Sequence, residues 1–340
     1  MSAAEVITDN IDLWTSAITH KSTAGRGRNG KIELTGIKKL RELILELAVR
    51  GKLVPQNADD EPASVLLEKI AAEKDRLVKE GKIKKPKPLP EITEDEKPFE
   101  LPEGWEWCRL AEIAYQVTDG THHTPQYSKD GVPFLSVKDI SSGKLCFDNT
   151  RFISQEQHDV LIKRCRPEKG DMLLTKVGTT GVPVLIVTDI EFSIFVSVAL
   201  IKFDKKNYLG TFFRHLLAAP FLREQAEEGT EGIGNKNLVL RKISSMVLVI
   251  PPLPEQHRIV AKVDELMALC DRLEERTGDQ LEAHETLVDV LLNTLTDAAD
   301  AQELGESWAR VQEYFDTLFT TEQSIDRLQQ TILQLAVMGR

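Results

Sequence analysis

The chain has 340 residues and a formal net charge of −11, enough length for two domains or for one domain with extended helices. No run approaches the ~20 apolar residues that cross a bilayer, and the N-terminus MSAAEVITDNIDLW lacks the basic start and apolar core of a secretory signal. Cys108, Cys146, Cys165 and Cys270 share no metal-type spacing. These features point to a cytoplasmic protein with free thiols, no metal site and no membrane contact. The acidity is local: residues 259–340 hold 6 Lys/Arg against 17 Asp/Glu, whereas the rest is close to neutral. The middle of the chain is either a balanced surface or one with a basic face turned to a polyanion.

Ile7, Ile11, Trp14 and Ile18 predict one amphipathic helix over residues 7–21. In the following TAGRGRNGKIEL, Gly25, Gly27 and Gly30 match G-x-G-x-x-G, and Gly25 to Lys31 match G-x-x-x-x-G-K. A phosphate loop needs a strand before it and a helix after it. Here a polar helix precedes, and Ile32 stands where a Ser or Thr would hold magnesium, so the segment reads as a flexible basic loop. Residues 36–51 form a strong helix with Ile37, Leu40, Leu43, Ile44 and Leu47 on one face and Gly51 as its stop. A second helix spans about Ala63 to Gly81, which makes residues 1–81 a helical N-terminal extension. Residues 82–104 carry five prolines among dense charge and read as a solvated linker.

Residues 105–253 change character. Short β-rich runs separated by Gly, Asp and Asn predict an α+β domain with a curved, mostly antiparallel sheet. One helical stretch, 210–228, is kinked or divided at Pro220. The run Val247–Ile250 ends at Pro251, Pro252 and Pro254, and a long helix over 254–296 begins at once. Ile259, Val263, Leu266, Cys270 and Leu273 form its seam, expected to pack on Leu40, Ile44 and Leu47 or on a partner's equivalent helix. The seam turns polar at Thr277, Gln280 and His284. A loop over 297–306, a helix over 307–319 and a last helix from Glu322 complete a helical segment across 307–340. Ile325–Gly339 (IDRLQQTILQLAVMG) matches Ile37–Gly51 (IKKLRELILELAVRG) at eight of fifteen positions with a constant offset of 288, which reads as an internal repeat.

PPLPEQHRIVAKVDEL resembles the conserved segment that opens the spacer helix in the DNA-specificity subunits of Type I restriction–modification enzymes. Pro251, Pro252, Glu255, Gln256, Ile259 and Val260 stand on that motif. Upstream, LPEGWEWCRL, GVPFLSVKDISSG, KGDMLLTKVGTTG and GNKNLVLRKI resemble the successive landmarks of the family's target recognition domain. The resemblance implies a non-catalytic, sequence-specific reader of double-stranded DNA. It also implies methyltransferase subunits that modify adenine and an ATP-driven restriction motor subunit as partners. S-adenosylmethionine, ATP and magnesium would then sit on those partners, with no cofactor on this chain. Family members usually carry two recognition domains; here there is one, with one spacer and the first turns of a second copy. The chain is therefore expected to read half of a bipartite site, as a fragment of a longer subunit or as a half-subunit that pairs with itself. About 25 helical residues would hold two readers roughly 37 Å apart, near one DNA turn.

Loops between strands are the natural readers. In Thr118–Gln126, His122 and His123 are candidates for phosphate or base contact, or ordinary loop polarity. In Leu174–Gly181, Lys176, Thr179 and Thr180 flank glycines that allow close backbone approach, or form the polar tip of a hairpin. In Gly229–Leu238, Asn235, Lys236 and Asn237 suit amide and bidentate base contacts. Lys138 and Arg241 are further phosphate candidates, and Lys176 and Lys236 are expected to contribute to the salt dependence of binding. An enzyme finds little support: there is no strand-linked glycine loop for S-adenosylmethionine, no Asn-Pro-Pro-aromatic segment and no nuclease-like acidic cluster. A helical scaffold that does not read DNA is the alternative, and it leaves the α+β domain without a task.

Overall fold

The run Val198–Phe203 is the strand around which the β-rich region is built, and its first four side chains are all fully buried. The structure, a computed structural model, describes residues 3–20, 32–86, 88–232, 234 and 236–339. It divides into two compact units, residues 1–14 with 38–268 and residues 15–37 with 269–340.

Eleven strands of the first unit are used below: β1 (Glu106–Arg109), β2 (Ala114–Asp119), β3 (Val132–Leu135), β4 (Arg151–Ile153), β5 (Met172–Thr175), β6 (Pro183–Leu185), β7 (Ser193–Ile194), β8 (Val198–Phe203), β9 (Thr230–Glu231), β10 (Asn237–Leu238) and β11 (Val247–Ile250). The main sheet has the order β2-β8-β5-β6 and is antiparallel throughout. A second sheet, β4-β3-β7, mixes one antiparallel and one parallel pair. Leu173, Val184, Val198 and Leu200 of the first sheet share one apolar cluster with Leu135 and Ile194 of the second. Alternate residues of β8 thus face the other sheet, while Phe203, beyond a bulge, meets Phe213 at 5.0 Å. Each such buried side chain contributes about 1.5–3 kcal/mol. The predicted α+β fold with a mostly antiparallel sheet is the one observed.

The helices used below are α1 (Ala3–Asp9), α2 (Ile11–Ser16), α3 (Thr35–Val49), α4 (Ala63–Lys79), α5 (Gln155–Leu161), α6 (Gly210–Ala218), α7 (Pro220–Glu228), α8 (Leu253–Asp297), α9 (Ala301–Glu313) and α10 (Glu322–Val337). Pro220 is the first residue of α7, where its missing N–H costs nothing. The single helix expected over 7–21 is split. Asn10 turns its side-chain amide back to the Val6 carbonyl at 2.7 Å, satisfying that carbonyl outside the helical ladder. Beyond α2, Thr19–His20 pair with Ile32–Glu33 as a short antiparallel ladder. Gly25, Gly27, Gly30 and Lys31 lie outside the described residues.

The linker departs most from expectation. Its second half is docked on the domain. Phe99 packs against Trp107 and Phe221 at ring distances of 5.0 and 5.5 Å, and Arg50 stacks over Phe99 at 4.9 Å. Gly51 has φ +63, and a Cβ there would run into the Pro102 ring, so glycine is needed for both reasons. An excess of proline and charge signals an extended backbone, and it does not reveal the aromatic and arginine anchors that receive it.

α8 is continuous for 45 residues, about 68 Å. Ile259, Val263, Leu266, Cys270 and Leu273 are all buried, as are Leu40 and Ile44, while Leu47 is half-buried. In the second unit Val288, Leu292 and Leu295 of α8 pack with Val311 of α9, Leu318, and Leu328 and Leu335 of α10. The loop expected over 297–306 shrinks to three residues. Asp300 caps α9 by accepting from Glu303 N at 2.9 Å, and the Glu303 carboxylate accepts from Ala299 N at 2.7 Å. The two helices that share the repeated sequence are buried unequally. Ile37, Ile44 and Val49 of α3 are buried, whereas their counterparts Ile325, Ile332 and Val337 are 43%, 46% and 89% exposed.

Candidate nucleic-acid interface

Asp119 ends β2 and is 2% exposed. A carboxylate so placed must be paired. Its Oδ2 accepts from Lys176 Nζ at 2.6 Å, and its Oδ1 faces Arg164 Nη2 at 2.7 Å and His122 Nε2 at 3.2 Å. Burial works against this carboxylate, yet Lys176 and His122 outweigh it and hold its pKa below the usual range. Gly120 follows directly, so close to the Ile194 carbonyl that no Cβ fits.

The neighbouring loops are tied to this point. Lys176 N donates to Ser197 O at 2.9 Å, and Ser197 Oγ accepts from Val137 N at 3.1 Å. The turn after β5 is organised by Thr175, whose hydroxyl donates to Thr179 O and accepts from Val182 N at 2.8 Å. The β9–β10 hairpin joins through a bridge between Val177 and Asn237 and through Leu238 N donating to Lys176 O at 2.8 Å. Three candidate loops, together with the 136–139 turn that carries Lys138, are therefore linked by the Asp119–Lys176 ion pair, the Ser197 hydroxyl and backbone hydrogen bonds.

The individual residues fare differently. His122, His123, Lys138, Thr179, Lys236 and Arg241 are exposed. Lys138 Nζ reaches Asn149 O at 3.1 Å, and Arg241 lies 3.6 Å from Glu231 while 80% exposed. Thr180 is buried, and Asn237 is half-buried with its Oδ1 unpaired among the described residues. Asn235 lies outside the described residues. Lys176 is corrected: at 2% exposure and paired to Asp119, it holds two loops together and has no free charge for a phosphate. Arg164, absent from the sequence-based candidates, is 55% exposed beside His122 at 57%. Its only sequence signal was a basic run in a segment of no clear periodicity.

The proline motif does structural work. Pro251, Pro252, Glu255, Gln256 and Ile259 are buried, and Val260 is half-buried. Gln256 Oε1 accepts from Leu209 N at 3.0 Å while its Nε2 donates to Pro251 O at 3.1 Å. Glu255 accepts from Trp105 Nε1 at 2.9 Å, and Arg258 pairs with Asp60 at 2.6 Å. The motif thus clasps the helix start to the α6 turn, to the first domain residue and to the segment before α4. Burial pushes the Glu255 carboxyl above its ordinary pKa, against the pull of Trp105. An acid whose folded pKa is raised contributes its full stability below its ordinary pKa of 4.5, and the benefit is lost as pH rises from there through the folded pKa. Glu255→Gln, which keeps an acceptor for the indole, is expected to equal or exceed the parent in stability at neutral pH and to flatten this part of the pH profile. Trp105→Phe, which strands the carboxylate, should lose about 1.5–3 kcal/mol. Urea unfolding at several pH values checks both.

Among the described residues no group of three or more His, Cys, Asp or Glu is arranged to hold a metal, and no helix is long and apolar enough to cross a membrane.

Residues 102–283, more than half of the chain and including all eleven strands from β1 onward, match the family described as the Type I restriction modification DNA specificity domain. The chain belongs to this Type I DNA-specificity family. It is 45% identical over its whole length to the Type I restriction enzyme EcoAI specificity subunit of Escherichia coli and 45% identical to the EcoEI specificity subunit of Escherichia coli. It spans 58% and 57% of those two proteins. The HsdS subunit of Thermoanaerobacter tengcongensis is a distant structural neighbour, with 14% identity and a TM-score of 0.39 across 80% of this chain and 62% of that one. Within the Type I specificity family, then, the strand-linked loops belong to the matched domain, and PPLPEQHRIV is the clasp at the root of its long helix.

Proposed function

We propose that this chain is a non-catalytic DNA-recognition subunit that reads one half of a bipartite site through the loops at Gly120, Lys138, Thr179 and Lys236. The observation that carries this reading is the family match over residues 102–283, which covers the domain whose loops converge. In this account the long helix and the acidic helices after it hold methyltransferase subunits at the DNA, and a restriction motor subunit joins the same assembly. S-adenosylmethionine, ATP and magnesium act on those partners, and this chain binds none of them. A second recognition domain, in a longer form of this chain or in a second copy of it, would supply the other half of the site. The chain would work in the cytoplasm, where the DNA is.

The domain contributes shape and charge and leaves chemistry to its partners. Exposed cations neutralise phosphates and set the register on the duplex, and polar tips read base edges. Lys236, exposed and with no partner among the described residues, is the clearest phosphate candidate. Lys236→Ala is expected to lower the salt slope of duplex affinity by about 0.9, weakening cognate and random DNA alike. Fluorescence anisotropy across a salt series measures this. Lys176→Ala should instead melt earlier, because Lys176 pairs a buried carboxylate. A helical scaffold would show no salt-dependent duplex binding in the same assay.

A further inference from the structure

We propose that Arg164, held in place by Asp119, is a phosphate-contacting residue of the recognition surface. This rests on the DNA-reading function proposed above. Asp119 carries more cationic partners than it can neutralise. Lys176 sits on Oδ2 and is buried with it, so those two charges cancel inside the domain. Arg164 and His122 share Oδ1 from the solvent side, at 2.7 and 3.2 Å, and stay more than half exposed. The guanidinium charge is therefore left over and faces outward.

The geometry fixes where that charge lies. Arg164 Nη2 is tied to Asp119, and Nη1 donates to the Gly120 carbonyl at 3.3 Å. A guanidinium has five N–H donors, so this leaves others for an incoming anion while the planar fork is already oriented. Pre-ordering a long side chain removes the rotamer entropy that a free surface arginine loses on binding. The same carboxylate secures Lys176, whose backbone carries the β9–β10 hairpin through Leu238 N. One buried acid thus orients an outward cation and anchors the loop that holds Lys236. A monoanionic phosphate diester of the duplex backbone is the ligand class that fits a single outward charge with parallel donors.

Two variants test this in the full chain, with a random-sequence duplex as probe. Arg164→Gln changes an exposed side chain, so it should fold normally. It is expected to lower the salt slope by about 0.9 and to weaken binding at low salt. Asp119→Leu with Lys176→Met keeps net charge and roughly the packing volume but removes the side-chain oxygen that tethers Arg164. It is expected to lower the slope as Arg164→Gln does, with Arg164 still present; a merely structural role would change the melting point and leave the slope. A parental slope in Arg164→Gln, when Lys236→Ala shows a reduced one, would overturn the assignment of Arg164 and leave DNA reading intact. A parental slope in the double variant would overturn the tethering role of Asp119. Absence of salt-dependent binding by the parent chain would overturn both this proposal and the reading beneath it.

Discussion

Arg109→Ala is expected to cost about 3 kcal/mol and to free residues 90–97 from the domain. The Arg109 side chain is 5% exposed. Its guanidinium meets both Glu96 oxygens at 2.7 and 2.8 Å, the Pro90 and Glu91 carbonyls at 3.2 and 3.1 Å, and the Ser245 carbonyl at 2.9 Å. Lysine cannot replace such a fork, because its single nitrogen cannot serve acceptors spread across a plane. Arg109→Lys should therefore recover only part of the loss. The side-chain hydrogen bond from Arg109 pulls the Glu96 pKa down to about 2. A depressed acid stabilises the fold above its ordinary pKa, and that benefit fades as pH falls from about 4.5 towards about 2. The parent should thus lose stability over this acid window, and Arg109→Ala should lose less there. Urea unfolding and limited proteolysis at the linker check this. A variant as stable and as resistant as the parent would remove the clamp from the account.

Gln256→Leu is expected to cost about 2–4 kcal/mol, though it adds apolar volume. Gln256 is fully buried and serves two backbone groups, Leu209 N–H and Pro251 C=O. Leucine strands both, at about 1–3 kcal/mol for each unsatisfied buried group. Gln256→Glu should also be costly, since a carboxylate can accept from Leu209 but cannot donate to Pro251. The loss should appear in urea midpoints, and in amide exchange it should be largest around residues 209 and 256. A neutral Gln256→Leu would mean that these groups find other partners.

Much of the fold was legible because apolar period is a direct consequence of burial. The seam from Ile259 to Leu273 recurs at helical spacing because one face is buried, and Val247–Ile250 stops where proline can no longer donate. The long helix, the domain's α+β character and the division at Pro220 follow from such local chemistry. What escaped depends on distant partners. Nothing near Lys176 in the chain announces Asp119, 57 residues away, and a buried paired lysine reads the same as a free one. Arg109 ends an ordinary strand, so its hold on Pro90 and Glu91 was invisible, and the linker looked solvated. The motif was recognised at Glu255 and Gln256, but its physical meaning needed Trp105 and Leu209 in view. Arg164 shows the converse: an unremarkable basic residue becomes a candidate only when a buried acid is seen to aim it.

The measurement that bears most directly on the central claim is methylation mapping of genomic DNA from a host carrying methyltransferase partner genes, with and without this chain. The account predicts one bipartite motif methylated only when the chain is present, and a changed motif when residues 105–250 are exchanged for those of another member of the family. A methylation pattern indifferent to the chain, or to that exchange, would contradict it.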